Sequence, residues 1–174
     1  MDYVFISIET TGLDPKISHI IELAATKVRD GEEIANFSTF VSCPEPVPEE
    51  VTVATGIDDE TLADAPELKV ALDAFFEFGR GCVLVDYTLP FSEKFLAYYA
   101  TKCGLNYDAV YSEKIHVLPI VKEKLAETLK REKRLSFLPY VAEHYKIAHD
   151  WNCNGLSKAI LLAKVFAKLQ SNEV

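Results

Sequence analysis

The sequence predicts an α/β domain in which helices cover the faces of a mixed β-sheet. Two observations predict this class: three strand-like segments follow one another within the first 42 residues, and shorter strands then alternate with helices. A length of 174 residues suits one compact core, and no internal repeat or linker interrupts the pattern. We therefore expect a single domain over residues 1–174.

The first three strands are marked by β-branched and aromatic residues that end at turn signals. The segment YVFISIE runs into TTGLDP, and the strand predicted at 19–28 is followed by Arg-Asp-Gly, a strong hairpin cue. A third strand is expected at 34–42. Short connections between successive strands favour antiparallel pairing.

Glycines and apolar runs delimit the elements that follow. A short helix is expected to end at Gly56, and a second helix, preceded by acidic residues, at Gly79. The run CVLVDY at 82–87 is typical of a strand covered on both faces. The helix after it should end near Gly104.

The last third of the chain predicts one more strand and three helices. The strand is expected around KIHVL, followed by helices near 119–131 and 136–145 and a final helix within 154–170. Its apolar stripe is predicted to consist of Leu156, Ile160, Ala163 and Ala167.

Composition and charge limit the partners that we expect. The formal net charge is −9, which repels a phosphate polyanion at long range unless a basic patch is focused locally. The dense basic run at 124–134, with Glu127 and Arg131 spaced i, i+4, indicates a solvated helix face, with nucleic-acid contact as the alternative.

Cysteine spacing and hydropathy point to an intracellular setting. The cysteines have no C-x-x-C pair, which favours free thiols over a zinc site or a disulfide framework; they are Cys43, Cys82, Cys103 and Cys153. Neither an apolar run of about 18 residues nor a basic-then-apolar N-terminal segment is present. We therefore expect a cytoplasmic protein without a membrane partner.

Motifs along nearly the whole chain carry a resemblance to a known family. They are, in order, IETTGLDP, HIIELAATKVRDGE, FSTFV, PVPEEVTVATGIDDETLADAP, VLVDYTLPFSEKFL and HDWNCNGLSKAILLAKVFAKL. In this order they resemble the DnaQ-like 3′–5′ exonucleases, the family of the proofreading epsilon subunit of bacterial DNA polymerase III. The resemblance implies a ribonuclease-H-like sheet and, in active members, a two-metal site built from four carboxylates and a histidine base.

The resemblance assigns five catalytic positions to this chain, namely Ser7, Glu9, Ser92, His149 and Asn154. The family carries aspartate at the positions of Ser7, Ser92 and Asn154, so only Glu9 and His149 are retained. A further position, commonly an aspartate after isoleucine, is His116 here.

Charge arithmetic weighs against a two-metal site. At an effective dielectric near 20, unit charges 4 Å apart interact by about 4 kcal/mol, and a dication roughly doubles this. Glu9 is the only remaining carboxylate ligand, so we expect no tightly bound cofactor, with Mg or Mn held weakly if at all. Among the neighbouring acids Asp86, Glu93 and Asp150, the sequence favours Glu93 as a substitute, because its longer side chain can bend back.

Contacts to a nucleotide are predicted around the same positions. The resemblance places Thr10, Thr11 and Gly12, in the turn after the first strand, near a terminal nucleotide. With the inferred fold, Lys94 and Lys158 lie near the cleft and meet phosphates. The aromatic residues Tyr87 and Phe91 are candidates for base stacking, although core packing is the commoner role of such residues.

Each catalytic position also has a purely structural interpretation. Ser7 is then a small core-facing strand residue, and Glu9 bonds the turn that follows it. His149 is then a satisfied loop histidine. Asn154 is a strong N-cap residue directly before the last helix.

The sequence leaves three functions open. The favoured one is a degenerate exonuclease-fold domain that has lost metal-dependent hydrolysis and retains a cleft for a nucleotide or single-stranded nucleic acid, or serves as a protein-interaction module. The second is an active 3′–5′ exonuclease on single-stranded DNA or RNA with an altered metal site. The third is a scaffolding protein with no nucleotide role.

Overall fold

The computed structural model describes residues 1–125, 135–150 and 154–171, and these form the expected α/β architecture. A five-stranded mixed sheet has the order β3-β2-β1-β4-β5. Its strands are β1 Asp2–Thr10, β2 Ile20–Arg29, β3 Glu32–Phe40, β4 Val83–Asp86 and β5 Glu113–His116. The first three strands pair antiparallel, whereas β4 runs parallel to β1 and β5 parallel to β4. The prediction of a mixed sheet with three antiparallel strands is confirmed.

Helices cover both faces of the sheet. They are α1 Glu49–Thr55, α2 Asp59–Leu62, α3 Leu68–Gly79, α4 Leu89–Lys102, α5 Val117–Leu125, α6 Leu138–His144 and α7 Gly155–Gln170. The predicted ends at Gly56 and Gly79 are confirmed, and Gly56 closes α1 in the left-handed conformation with φ 76°. Across the described residues, no helix is long and apolar enough to span a bilayer.

One segment differs from the sequence-based prediction, and two others lie wholly or mostly outside the described residues. The segment before α3 forms a separate one-turn helix capped by Asp58, because the residue before Pro66 is disfavoured in a helical conformation. Most of the basic run at 124–134, with its Glu127–Arg131 pair, lies outside the described residues, as does Cys153. The other three cysteines are free thiols, as expected.

The alternation of β1 decides which side chains reach each face of the sheet. Val4, Ile6 and Ile8 pack into the core beneath α3 and α4. Phe5 points to the opposite core, where its ring lies 5.6 Å from that of Phe166 in α7. Side chains two residues apart share a face, so the residues at 7 and 9 project towards α7.

The buried face of α7 differs from the predicted apolar stripe. Leu156, Ile160 and Ala163 are half-buried and Ala167 is exposed. The residues that are buried are Gly155, Ala159, Leu161, Leu162, Val165, Phe166 and Leu169. The helix carries apolar residues on adjacent faces, so spacing alone allows more than one stripe. The face of α7 that contacts the sheet carries small residues near the start of the helix and large residues further along.

We expect Leu162→Ala to lower the free energy of unfolding by about 2–5 kcal/mol, because it leaves a cavity at a fully buried position. The matched change Leu156→Ala, at a half-buried position, should cost less. Urea denaturation of both variants measures the difference. An equal or larger loss at Leu156 would contradict the observed orientation of α7.

Candidate nucleic-acid cleft

A cleft of about 710 Å³ opens at the carboxyl ends of the parallel strands β1 and β4. Its walls come from β1, the end of α1, the β4–α4 connection, the start of α6 and the first turns of α7. Ligands commonly bind at this edge of α/β sheets, where the strand ends leave polar side chains and free backbone groups exposed. The polar and aromatic residues that line it include Ser7, Glu9, Asp86, Phe91, Ser92 and Lys158.

The retained acid Glu9 forms an ion pair across the cleft. The Lys158 ammonium, one turn into α7, lies 2.6 Å from the Glu9 carboxylate. The side chains are 15% exposed for Glu9 and 37% for Lys158. Glu9 therefore bonds Lys158 rather than the turn that follows β1. Lys158 lines the cleft, and its expected contact with phosphates stays a prediction.

A second acid, Glu22, lies next to this pair and was missed by the sequence-based prediction. It faces Glu9 across the antiparallel β1–β2 ladder and is only 3% exposed. The Gly155 amide donates to its carboxylate at 3.2 Å, and a Cβ at Gly155 would stand 2.8 Å from it. Burial, and secondarily the charge of Glu9, raises the pKa of Glu22. The signal was available, since an acid inside the apolar run HIIELAATKV needs a buried partner.

The serine positions lie at the cleft, and one of them contacts a buried acid. Ser7 and Ser92 both line the cleft, and Ser92, in the first turn of α4, is buried. Its hydroxyl donates to Asp86, which also accepts the Thr88 amide at 3.3 Å. Asp86 is 4% exposed, and within the described residues its second oxygen, Oδ2, has no hydrogen-bond partner. Burial raises the pKa of Asp86 to about 6.

The acid beside Ser92 is therefore Asp86, and the preference for Glu93 was wrong. Glu93 forms an ion pair with Lys114 at 2.6 Å and does not line the cleft. The alternation of a strand would send Asp86 and Tyr87 to opposite sides. However, β4 ends at Asp86 and the chain turns there, so both residues border the cleft.

The family positions His149 and Asn154 do not line the cleft. The Asn154 side chain accepts the Ser157 amide at 2.9 Å and caps α7, which confirms its structural interpretation. His149 is half-buried, with Nδ1 lying 2.9 Å from the Ile147 carbonyl oxygen, and neither it nor Asp150 lines the cleft. His116 ends β5 opposite Asp86, and burial lowers its pKa.

The turn after β1 is held together by its own polar groups. The Thr10 hydroxyl donates to the Gly12 carbonyl at 2.7 Å, and the Thr11 hydroxyl accepts the His19 amide at 2.8 Å. Lys94 is exposed, donates to the Leu13 carbonyl and does not line the cleft. The Lys94 ammonium is directed to this turn, and its expected contact with phosphates stays a prediction.

Aromatic residues border the apolar side of the cleft. Tyr87 is buried in the core beneath α7 and donates its hydroxyl to the Leu135 carbonyl, so its structural interpretation is confirmed. Burial raises the pKa of Tyr87 well above its ordinary value. Phe91 is half-buried, and Phe137, which the sequence-based prediction missed, is exposed at the rim.

Comparison with known families identifies the fold. Residues 4–166 match the family model RNase_T, an exonuclease family. The chain belongs to the DnaQ-like exonucleases. The five-stranded mixed sheet with antiparallel β1–β3 is accordingly of the ribonuclease-H-like type.

The chain is similar to part of the PolC-type DNA polymerase III of Caldanaerobacter subterraneus subsp. tengcongensis. The identity is 30% over 168 residues, which is 97% of this chain and 11% of that protein. The chain thus spans about a tenth of the length of the polymerase that it matches.

Two solved structures share the fold at low identity. Exonuclease I of E. coli in complex with a dA16 oligonucleotide superimposes with a TM-score of 0.80 at 11% identity, covering 99% of this chain and 41% of that one. The nuclease domain of 3′hExo, a DEDDh family member bound to rAMP, gives 0.77 at 18% identity, covering 98% and 92%. At such identities the likeness concerns the fold alone.

The two divalent ions implied by the family do not fit the side chains present. Within residues 1–125, 135–150 and 154–171, no group of three or more His, Cys, Asp or Glu residues is arranged to hold a metal ion. Glu9 is already paired with Lys158, and the Asn154 side chain caps α7. Two metal ions need several anionic oxygens directed to one point.

We expect Asp86→Asn to stabilise the protein at neutral pH. Because burial raises the pKa of Asp86 to about 6, its protonated form stabilises the folded protein. This stabilisation is complete below about pH 4 and is lost as the pH rises through about 6. The asparagine avoids that loss, so the gain should reach about 3 kcal/mol above pH 7, since one pKa unit corresponds to 1.36 kcal/mol.

Urea denaturation of wild type and Asp86→Asn across pH 4–8 measures this gain. Asp64→Asn, at an exposed position, is the control and should show no comparable trend. A constant difference between wild type and Asp86→Asn at every pH would contradict the assignment.

Proposed function

We propose that the cleft binds a nucleotide or the 3′ end of single-stranded DNA or RNA and does not carry out metal-dependent hydrolysis. The observation that carries this proposal is the Glu9–Lys158 ion pair. Glu9 is the one carboxylate retained among the family's catalytic positions, and its negative charge is already balanced within the protein.

The shape and lining of the cleft support a nucleotide as the ligand. Phe91 and Phe137 offer aromatic faces, while Ser7, Thr88 and Ser92 lie on the polar side. Stacking on an aromatic ring is sequence-tolerant, because every base has a π-face. The complexes of exonuclease I with dA16 and of 3′hExo with rAMP belong to those proteins, and the shared fold makes the same class of ligand our proposal here.

The loss of hydrolysis follows from the charges at the cleft. Each missing carboxylate removes an attraction to a dication of several kcal/mol, and each 1.4 kcal/mol is a tenfold change in affinity. Serine and asparagine oxygens are neutral donors. They do not offset the charge of two divalent ions that must also give up part of their hydration.

Binding by this cleft should depend only weakly on salt. The Lys158 charge is shared with Glu9, and the chain as a whole carries −9. Few counterions are then released from the nucleic acid, so the slope of log K against log salt should be shallow. Affinity would come from stacking and hydrogen bonds rather than from phosphate neutralisation.

A second candidate function is a 3′–5′ exonuclease with an altered metal site. One observation favours it: Asp86 places a carboxyl group in the cleft beside Ser92, where the sequence-based prediction had favoured Glu93 as the substitute acid. An interaction with a protein partner is the third proposal. The cytoplasmic location expected from the sequence stays a prediction.

The test is fluorescence anisotropy with end-labelled single-stranded DNA and RNA in EDTA, followed by gel analysis of the same strands incubated with millimolar Mg²⁺ or Mn²⁺. We expect binding in EDTA and no shortening with either metal. Phe137→Ala should weaken binding by roughly tenfold, because a base–aromatic stack contributes about 1–3 kcal/mol. Phe40→Ala, at an exposed position on β3, is the control and should bind like wild type.

Different outcomes of these assays would favour the altered exonuclease or the protein-interaction role. Stepwise shortening that stops with chelator and is abolished by Glu9→Ala would establish the altered exonuclease. Failure to bind single strands or mononucleotides would leave only the interaction role.

A further inference from the structure

Two acids and one lysine form a compact, partly buried charge cluster at the end of β1. Glu9 and Glu22 are directly paired across the antiparallel ladder, so their side chains project from the same face of the sheet. Lys158 reaches this face from α7 and contacts Glu9 at 2.6 Å. The charge of Lys158 also lowers the pKa of Glu22, against the larger effect of burial.

A nearby positive charge stabilises such an acid pair. Like charges directly opposite each other in a sheet are destabilising, and Glu22 has almost no access to water. The Gly155 amide satisfies one Glu22 oxygen but supplies only a partial charge. A full positive charge between Glu9 and α7 offsets the repulsion between the two acids and favours the ionised form of each.

The Lys158 ammonium supplies that charge from within the chain. It is a compact point charge with three donors, and Glu9 is the partner that it contacts within hydrogen-bond distance. Its stem comes from the first turn of α7, whose start is fixed by the Asn154 cap and by the close approach of Gly155 to Glu22. The position of the ammonium is thus set by the packing of α7 on the sheet.

We propose that Lys158 acts as a tethered cation, which takes the place of a divalent ion beside Glu9 and holds the Glu9–Glu22 pair in the folded protein. The proposal deepens the proposed function, because it accounts for how the cleft holds its acid pair without a metal ion. It adds that the acid pair is a latent divalent-cation site whose occupant is the lysine side chain. Removal of the ammonium should then create an affinity for metal that the wild-type protein lacks.

A peripheral ion pair predicts something different. Exposed salt bridges contribute little to stability, and their removal has no consequence for metal binding. The two interpretations therefore differ in the response of a lysine variant to divalent ions, which is a readout independent of any enzymatic activity.

The experiment compares thermal melting and Mn²⁺ calorimetry of wild type, Lys158→Met and the double variant Glu9→Gln/Lys158→Met. In EDTA, Lys158→Met should melt below wild type, because the acid pair has lost its counter-charge. Millimolar Mn²⁺ should raise its melting temperature towards the wild-type value, since a ligand that binds only the folded state stabilises it. Wild type and the double variant should show no such rise.

Two further variants serve as matched controls. Lys164→Met removes the same charge from an exposed position on α7 and should leave both melting and Mn²⁺ response as in wild type. Lys158→Arg keeps the charge and should remain insensitive to Mn²⁺. If Lys158→Met does not fold in EDTA, the proposal requires that Mn²⁺ or the added Glu9→Gln change restore folding.

Three results would overturn the proposal: Mn²⁺ binding by wild type as tight as by Lys158→Met, a folded Lys158→Met with no Mn²⁺ response, or an unfolded one rescued by neither change. The oligonucleotide assay in EDTA is independent of these results. If the oligonucleotide assay shows no binding, the proposed ligand is wrong but the role of Lys158 is unaffected. If the Mn²⁺ experiments fail, the role of Lys158 is wrong but the proposed ligand is unaffected.

Discussion

The interaction on which this cleft depends is the ion pair between Glu9 and Lys158. It joins the end of β1 to the first turn of α7, and it neutralises the one carboxylate that the family's catalytic positions retain. Glu22 lies buried beside it, and besides the larger effect of burial the charge of Glu9 raises the pKa of Glu22 and that of Lys158 lowers it. A carboxylate with an internal counter-ion needs no metal to remain in place.

The substitutions at the motifs form a consistent set once their contacts are considered. Ser92 hydrogen-bonds Asp86, and Asn154 caps α7. Each polar side chain that replaces an aspartate of the family thus either lines the cleft or stabilises a neighbouring element. Neutral side chains at these positions avoid the cost of an uncompensated acid in a buried site.

Much of the fold was predictable, because its signals are local. Strand residues with hairpin cues predicted β1 to β3, and Gly56 and Gly79 marked helix ends. The buried face of α7 was not predictable, since apolar residues on adjacent faces allow several stripes. At the cleft, Glu9 and Lys158 were both singled out, but not their contact, and Glu22 was overlooked inside an apolar strand.

The sequence by itself determined the family, the class of sheet and the absence of three metal-binding aspartates, because these depend on residue identity and order along the chain. Only the tertiary structure decided which groups meet. Asp86 rather than Glu93 reaches Ser92 because β4 ends at that point, and Lys158 reaches Glu9 because α7 packs across the sheet. Contacts between residues up to 149 positions apart depend on packing geometry, which no local pattern encodes.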